Sequence, residues 1–485
     1  MLDLLDHTLR TGGDRPALLG CTRTGAVRVR ARCGELADLA DGYAAALHHR
    51  YGLRPGDTLG IAVRPGPRAL AVLLAAHRLG LRAAVLDPTA GPDVLRSRLA
   101  LAPPALVLAD AAAQAVAGWA RPLARRAGLA LPPLHALAPV ATVGPRRPGC
   151  APALATGGRP PAAYDGEGDA VIVFTSGTTS APRGVVHTRA GLAAGLRSVA
   201  ALVDPQPGTA VLGGTFFVLV PALAAGAGVA LPARSARTLG RQLATLQPEE
   251  TYLTPPQLRA LDHFTGRVWT GSAPAGAELL GRVKRAGARE AWGVYALTEL
   301  FPAAAVEHAD KAAFTADGDL LGHPLPGVAA RLAADGELLL SGPAARDRYL
   351  GEEPDPWVHT GDRARLDAHG RIVLAGRLKD MVLRRAENIY PGLYEPALHL
   401  PEVELAVLVG IPAADGDERL VALVQPRPGV DHRRVRTALR RPLVRMGDAR
   451  PDALLLGEVP LSGRSRKPDR AAAARYCSRK LAGTW

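Results

Sequence analysis

Two apolar periods take turns along the first half of the chain. Asp57–Val63 carries an apolar run of strand length, Arg68–Gly80 an apolar stripe of helical length, and Arg82–Leu86 a second strand-length run. A helical segment at Asp93–Leu101 and a strand at Ala105–Ala109 continue the series. Alternation of this kind predicts a mostly parallel sheet covered by helices. Phe216–Pro232 (FFVLVPALAAGAGVALP) approaches the length of a membrane span, but two prolines and two glycines break it, so it reads as a buried helix followed by a buried strand. Gly144–Gly168, rich in proline, glycine and alanine, predicts an exposed connection. After Gly376 the pattern changes: Val403–Ile411 and Leu420–Gln425 read as strands, Arg433–Arg445 as a helix and Ala453–Val459 as a last strand. The expectation is an α/β protein, with a large multi-layer N-terminal body of mixed and parallel sheets over 1–376. A small α+β C-terminal unit over 377–485 completes it.

Composition narrows the function classes. Hydrophobic residues make up 48% of the 485 positions and aromatics only 4%, so the cores must be built from Ala, Leu and Val. A net charge of +14 invites a nucleic-acid reading. The basic residues are scattered and interleaved with acids, with no RNP-type or zinc-finger signature, which argues against specific nucleic-acid binding and leaves small anions or an acidic protein as partners. Only five of the 59 basic residues are lysine (Lys284, Lys311, Lys379, Lys467, Lys480), so each is a candidate for work that needs an ammonium. Cys21, Cys33, Cys150 and Cys477 have neither CxxC nor metal-ligand spacing. The start, MLDLLDHTLR, lacks the apolar core of a signal peptide. These features predict a cytoplasmic protein without a transmembrane segment.

The most informative stretch is Val171–Gly184, VIVFTSGTTSAPRG. An apolar strand runs into a loop of hydroxyls and glycine (Thr175, Ser176, Gly177, Thr178, Thr179), then Arg183 and Gly184, and a second apolar run begins at Val185. Hydroxyl and backbone N–H donors on a tight loop beside a cation suit a polyphosphate. The loop lacks the Gly-Lys-Ser/Thr ending of the common P-loop. It resembles instead the phosphate loop of the ANL adenylate-forming enzymes, (Y/F)TSGTTGxPKG.

Further stretches resemble that family's motifs in order. Gly271-Ser272-Ala273-Pro274 resembles the turn bordering adenine. Tyr295-Ala296-Leu297-Thr298-Glu299 resembles YGxTE, which implies Tyr295 against adenine, Thr298 at the α-phosphate and Glu299 as the Mg²⁺ ligand. A carboxylate oxygen suits that hard cation. Thr360-Gly361-Asp362 resembles the ribose-binding TGD, and Gly376-Arg377-Leu378-Lys379-Asp380 resembles GRxKD, which implies Arg377 near ribose and phosphate and Lys379 at the hinge. Pro460–Arg470 resembles the C-terminal loop whose lysine, here Lys467, bridges carboxylate and α-phosphate.

The resemblance implies ATP- and Mg²⁺-dependent activation of a carboxylic acid, such as a fatty acid, to acyl-AMP with pyrophosphate release. Thr298, Glu299 and Lys467 are then the catalytic set, and the acyl group passes to a thiol, that of coenzyme A first. An acyl carrier protein, β-lactone closure of a 3-hydroxy acid, and a degenerate nucleotide-binding homologue remain alternatives. Phe216, Phe217 and the residues around Trp269 and Phe301 are candidates for the acyl pocket. At Leu383–Pro391 the residues Arg385 and Ala386 stand where the family carries glycines. Side chains there either narrow the thiol tunnel or, with Arg384, grip phosphates of the acceptor.

Overall fold

The computed structural model describes residues 1–22, 24–86, 92–126, 129–174, 183–384, 387–413, 418–462 and 467–482. The loop residues Thr175, Ser176, Gly177, Thr178 and Thr179 therefore lie outside the described residues, as do Arg385 and Ala386.

The alternating segments become strands and helices close to where the periodicity places them. Thr58–Ala62, Arg82–Val85 and Leu106–Ala109 are strands, with helices at Pro67–Arg78 and Pro92–Leu101 between them. Thr58–Ala62 is buried at every position, as expected for a parallel strand covered on both faces. The helix Pro67–Arg78 opens on a proline, whose missing N–H would have had no helical partner, and it buries Leu70, Ala71, Val72, Leu74 and Ala75. Each buried leucine of such a face stabilises the fold by about 2 kcal/mol.

Among the described residues the strands form three large sheets. The first runs in the order Arg348–Tyr349, Gly184–Thr188, Asp169–Phe174, Arg82–Val85, Thr58–Ala62, Leu106–Ala109 and Val140–Thr142. The second, of eight strands, carries Glu250–Tyr252, Arg267–Thr270 and Glu290–Tyr295 side by side in parallel. Phe216–Ala224 is a helix and Gly228–Ala230 a strand of this second sheet, as the broken apolar run predicted. Among the described residues no helix is long and apolar enough to cross a membrane.

The third sheet lies beyond the alternating first half and is of the other kind. Its five strands, Asp319–Gly322, Ile372–Arg377, Val358–Leu366, Glu337–Ser341 and Ala329–Leu332, are all antiparallel. Hairpin-like neighbours can pair without a helical crossover, and only one face of such a sheet need be buried.

The C-terminal residues form a three-stranded sheet of Val403–Pro412, Glu418–Pro426 and Ala453–Leu456. Period-two alternation divides its side chains. Ala406, Leu408, Leu420 and Ala422 pack with Val435 and Leu439 of the helix His432–Arg445. Val407, Val409, Val421 and Leu423 face Ala473 and Cys477 of the helix Arg470–Leu481. A short pair, Leu461–Ser462 with Lys467–Pro468, leads into that last helix.

Candidate active site

Three candidate motifs sit at strand ends. Asp169–Phe174 and Gly184–Thr188 are antiparallel neighbours that flank the phosphate-loop segment. Gly184 is buried there, where a Cβ would meet Ile172, Phe174 and Leu350 at 3.2–3.3 Å. Arg183 is exposed just before it, 3.7 Å from Glu352. The strand Arg267–Thr270 ends at Gly271, whose absent side chain lets the turn approach the Val294 carbonyl; a Cβ would lie 2.9 Å from that oxygen. Ser272 follows in the left-handed region at φ 69°, its hydroxyl 3.3 Å from that of Tyr252, while Ala273 is half-buried and Pro274 exposed.

The neighbouring strand Glu290–Tyr295 delivers Tyr295 to Asp362. The phenol donates to Asp362 Oδ2 at 2.6 Å, and Arg377 Nε donates to Oδ1 at 2.7 Å. Asp362 and Arg377 are direct cross-strand partners in the antiparallel sheet. Asp362 is only 3% exposed, and its backbone N–H is held by the Thr360 hydroxyl at 3.0 Å. Gly361, within the strand Val358–Leu366, supplies φ 67° just before Asp362. Burial and the Asp362 charge hold the Tyr295 phenol well above its ordinary titration range.

Lys467, 105 positions beyond Asp362 in the sequence, feels the charges of this group. The residue as a whole keeps solvent access, yet its ammonium titrates below the usual lysine value. Burial of the charged group is the main cause, Arg377 and Lys379 add repulsion, and Asp362 opposes them. An ammonium with neighbouring cations and one carboxylate is poised to gain an anion.

Thr298 and Glu299 are half-buried and fixed from behind. The Thr298 carbonyl lies 2.8 Å from His187 Nε2, and the Glu299 carbonyl accepts from the Arg346 backbone N–H at 2.6 Å. The Tyr349 phenol donates to Glu299 Oε1 at 3.1 Å. Sequence reading missed His187, Arg346 and Tyr349, because they contact the motif across sheets and follow no spacing rule.

Among the described residues no three His, Cys, Asp or Glu side chains converge to hold a metal ion. One carboxylate at the phosphate end still fits Mg²⁺, which takes most of its ligands from water and substrate phosphates. Glu299 is the residue that would hold it.

Of the apolar candidates, Phe217 and Phe301 come together with ring centroids 3.8 Å apart, and Phe216 lies 6.2 Å from Phe217. Trp269 goes elsewhere: it stacks on Trp292 at 5.2 Å and donates to the buried Glu250 at 2.6 Å. Burial raises the Glu250 carboxyl to about 7, against the lowering influence of Trp269 and Arg267. Arg384 is not available to grip an acceptor. It is 7% exposed, with its guanidinium on Asp452 at 2.5 Å and on the Arg450 carbonyl at 2.9 Å.

Layered α/β sheets, C-terminal α+β elements and a polar cluster gathered from distant strands are the frame of the molecule. The family model described as AMP-binding enzyme matches residues 5–350, and the chain belongs to that family, within the ANL adenylate-forming superfamily. The fatty acid–[acyl-carrier-protein] ligase ScoC of Streptomyces coeruleorubidus is 30% identical over 304 residues, which are 53% of this chain and 57% of that protein. A feruloyl-CoA synthase of Amycolatopsis sp is 29% identical over 301 residues, 53% of this chain and 60% of its own length. The matched region thus spans somewhat over half of these relatives. The amide bond synthetase McbA of Marinactinospora thermotolerans has the same fold, with a TM-score of 0.78 at 22% identity over 98% of this chain and 100% of its own.

Proposed function

We propose that this protein activates a carboxylic acid with ATP, forming acyl-AMP and pyrophosphate, and then passes the acyl group to a thiol. The observation that carries the reading is the buried Asp362, fixed between the Tyr295 phenol and the Arg377 guanidinium, which brings three separate motifs of the sequence to one point. In this reading the acid's carboxylate oxygen attacks the α-phosphorus, and the bond to the β-phosphate oxygen breaks to release pyrophosphate. Lys467 holds the carboxylate and the α-phosphate together, which offsets charge building in the transition state. Asp362 accepts hydrogen bonds from the ribose hydroxyls, and Arg377 keeps its carboxylate oriented. Tyr295 and the Gly271–Pro274 turn border adenine. The loop 175–179, Arg183 and Gly184 cradle the phosphates, and Thr298 donates to the α-phosphate. Mg²⁺, when bound at Glu299, neutralises phosphate charge.

The acceptor thiol then attacks the acyl carbonyl, AMP leaves, and the thiol proton passes to solvent. For this step residues 1–376 act as the body and 377–485 as a lid turning about Lys379, which withdraws Lys467. Coenzyme A is the first acceptor to test. A carrier-protein thiol is the second, supported by the similarity to ScoC. Phe217 and Phe301 supply apolar surface for the acid, and a fatty acid is the class we would try first. Pyrophosphate release from ATP is to be measured across aliphatic, 3-hydroxy and aryl acids, with and without coenzyme A. Acid-dependent release supports the reading, and stimulation by coenzyme A identifies the acceptor. No release with any acid would overturn it.

A further inference from the structure

The segment Ala345–Tyr349 straps the exit of the phosphate loop to the Thr298–Leu300 segment. At one end Tyr349 pairs with Val185, and the Asp347 N–H donates to the Val186 carbonyl at 2.9 Å. At the other, Ala345 bridges Leu300 and the Arg346 N–H holds the Glu299 carbonyl at 2.6 Å. The Tyr349 ring is contacted by two guanidiniums, Arg183 at 4.8 Å and Arg346 at 4.6 Å from its centroid. Arg346 is itself immobilised: it is 5% exposed, with donors on the Asp355 carbonyl at 2.9 Å and the Trp357 carbonyl at 3.2 Å. The ring is therefore fixed on an inflexible support, and its hydroxyl reaches Glu299 Oε1 at 3.1 Å.

We propose that Tyr349 is a positioning residue for the divalent cation: it fixes the Glu299 carboxylate in the metal-binding orientation. Through its Arg183 contact it links that carboxylate to the phosphate-loop exit. This rests on the reading of Glu299 as the Mg²⁺ ligand. A glutamate otherwise samples several rotamers, and choosing one before the metal arrives removes part of the ordering cost of binding.

Tyr349→Phe keeps the ring in contact with both guanidiniums and removes only the hydroxyl. Two measurements test it: Mn²⁺ binding by electron paramagnetic resonance with an α,β-methylene ATP analogue, and the Mg²⁺ half-saturation of acid-dependent pyrophosphate–ATP exchange. Loss of one charge-assisted hydrogen bond is expected to weaken metal binding about three- to tenfold, with a much smaller change in maximal rate and in melting temperature. In a Glu299→Gln background the same change should have no further effect on metal binding, because the group being positioned is gone. Weakened binding in Glu299→Gln but not in Tyr349→Phe overturns the proposal alone, as do fully additive effects. Unaltered binding in Glu299→Gln overturns the metal-ligand reading and the proposal with it.

Discussion

Replacing Asp362 by asparagine separates the carboxylate charge from the shape of the side chain. The native group is 3% exposed and spends one oxygen on the Tyr295 phenol at 2.6 Å and the other on Arg377 at 2.7 Å. Asparagine keeps one oxygen and turns an NH₂ donor toward one of two donors. The Arg377 side chain is 46% exposed, so water screens that pair and its loss costs about 0.5 kcal/mol. A buried phenol left without its acceptor costs about 1–2 kcal/mol. The fold should therefore weaken by about 2 kcal/mol, read as a lower urea midpoint with an unchanged slope. The nucleotide should suffer more, because the ribose hydroxyls lose a charged acceptor; calorimetric ATP affinity is expected to fall about 10- to 100-fold. A variant that loses the stability but binds ATP within about twofold of wild type would refute the ribose role and leave Asp362 as a structural pin alone.

Other expectations concern separate parts of the molecule. Glu250 has a folded value of about 7, above its unfolded value of about 4.3, so the native state holds the proton more tightly. Its contribution to stability is full below the unfolded value and is lost as pH rises through about 7; fluorescence of Trp269 should titrate with it, and a titration unchanged in Glu250→Gln would contradict this. Gly195→Ala would place a Cβ 2.6 Å from the Phe301 ring and 2.9 Å from its carbonyl oxygen, so the melting temperature should drop, equivalent to about 1–3 kcal/mol, and the KM for the acid should change. An unchanged melting curve would show that the Phe301 wall yields freely. Lys379→Pro stiffens the proposed hinge and should slow thioester formation while sparing pyrophosphate release; a parallel fall in both half-reactions would count against rotation at that residue.

Periodicity was enough to locate the parallel strands and the strands after Val403, because strands buried on both faces leave continuous apolar runs. It was silent on the five-stranded antiparallel sheet, whose register sets Asp362 opposite Arg377. The two motifs were legible one by one, but their pairing depends on a long-range alignment that no local spacing encodes. The same holds for Arg346 and Tyr349, which belong to no motif and reach Glu299 only because the strap pairs with Val185 and Val186. Trp269 stood beside the Gly271 turn in sequence, and side-chain alternation along its strand carries it to Glu250 instead of the phenylalanines. Scarcity of lysine is what singles out Lys467 for test, since an ammonium retained in so arginine-rich a chain points to chemistry a guanidinium does not replace.

In the proposed reaction Lys467 joins carboxylate and α-phosphate. Its most direct test is pyrophosphate–ATP exchange with an active acid, in wild type and Lys467→Ala, with ATP binding measured alongside. Exchange should fall about 10²- to 10³-fold with ATP affinity little altered, the mark of a group that acts in the transition state. Exchange at the wild-type rate in the variant would contradict it.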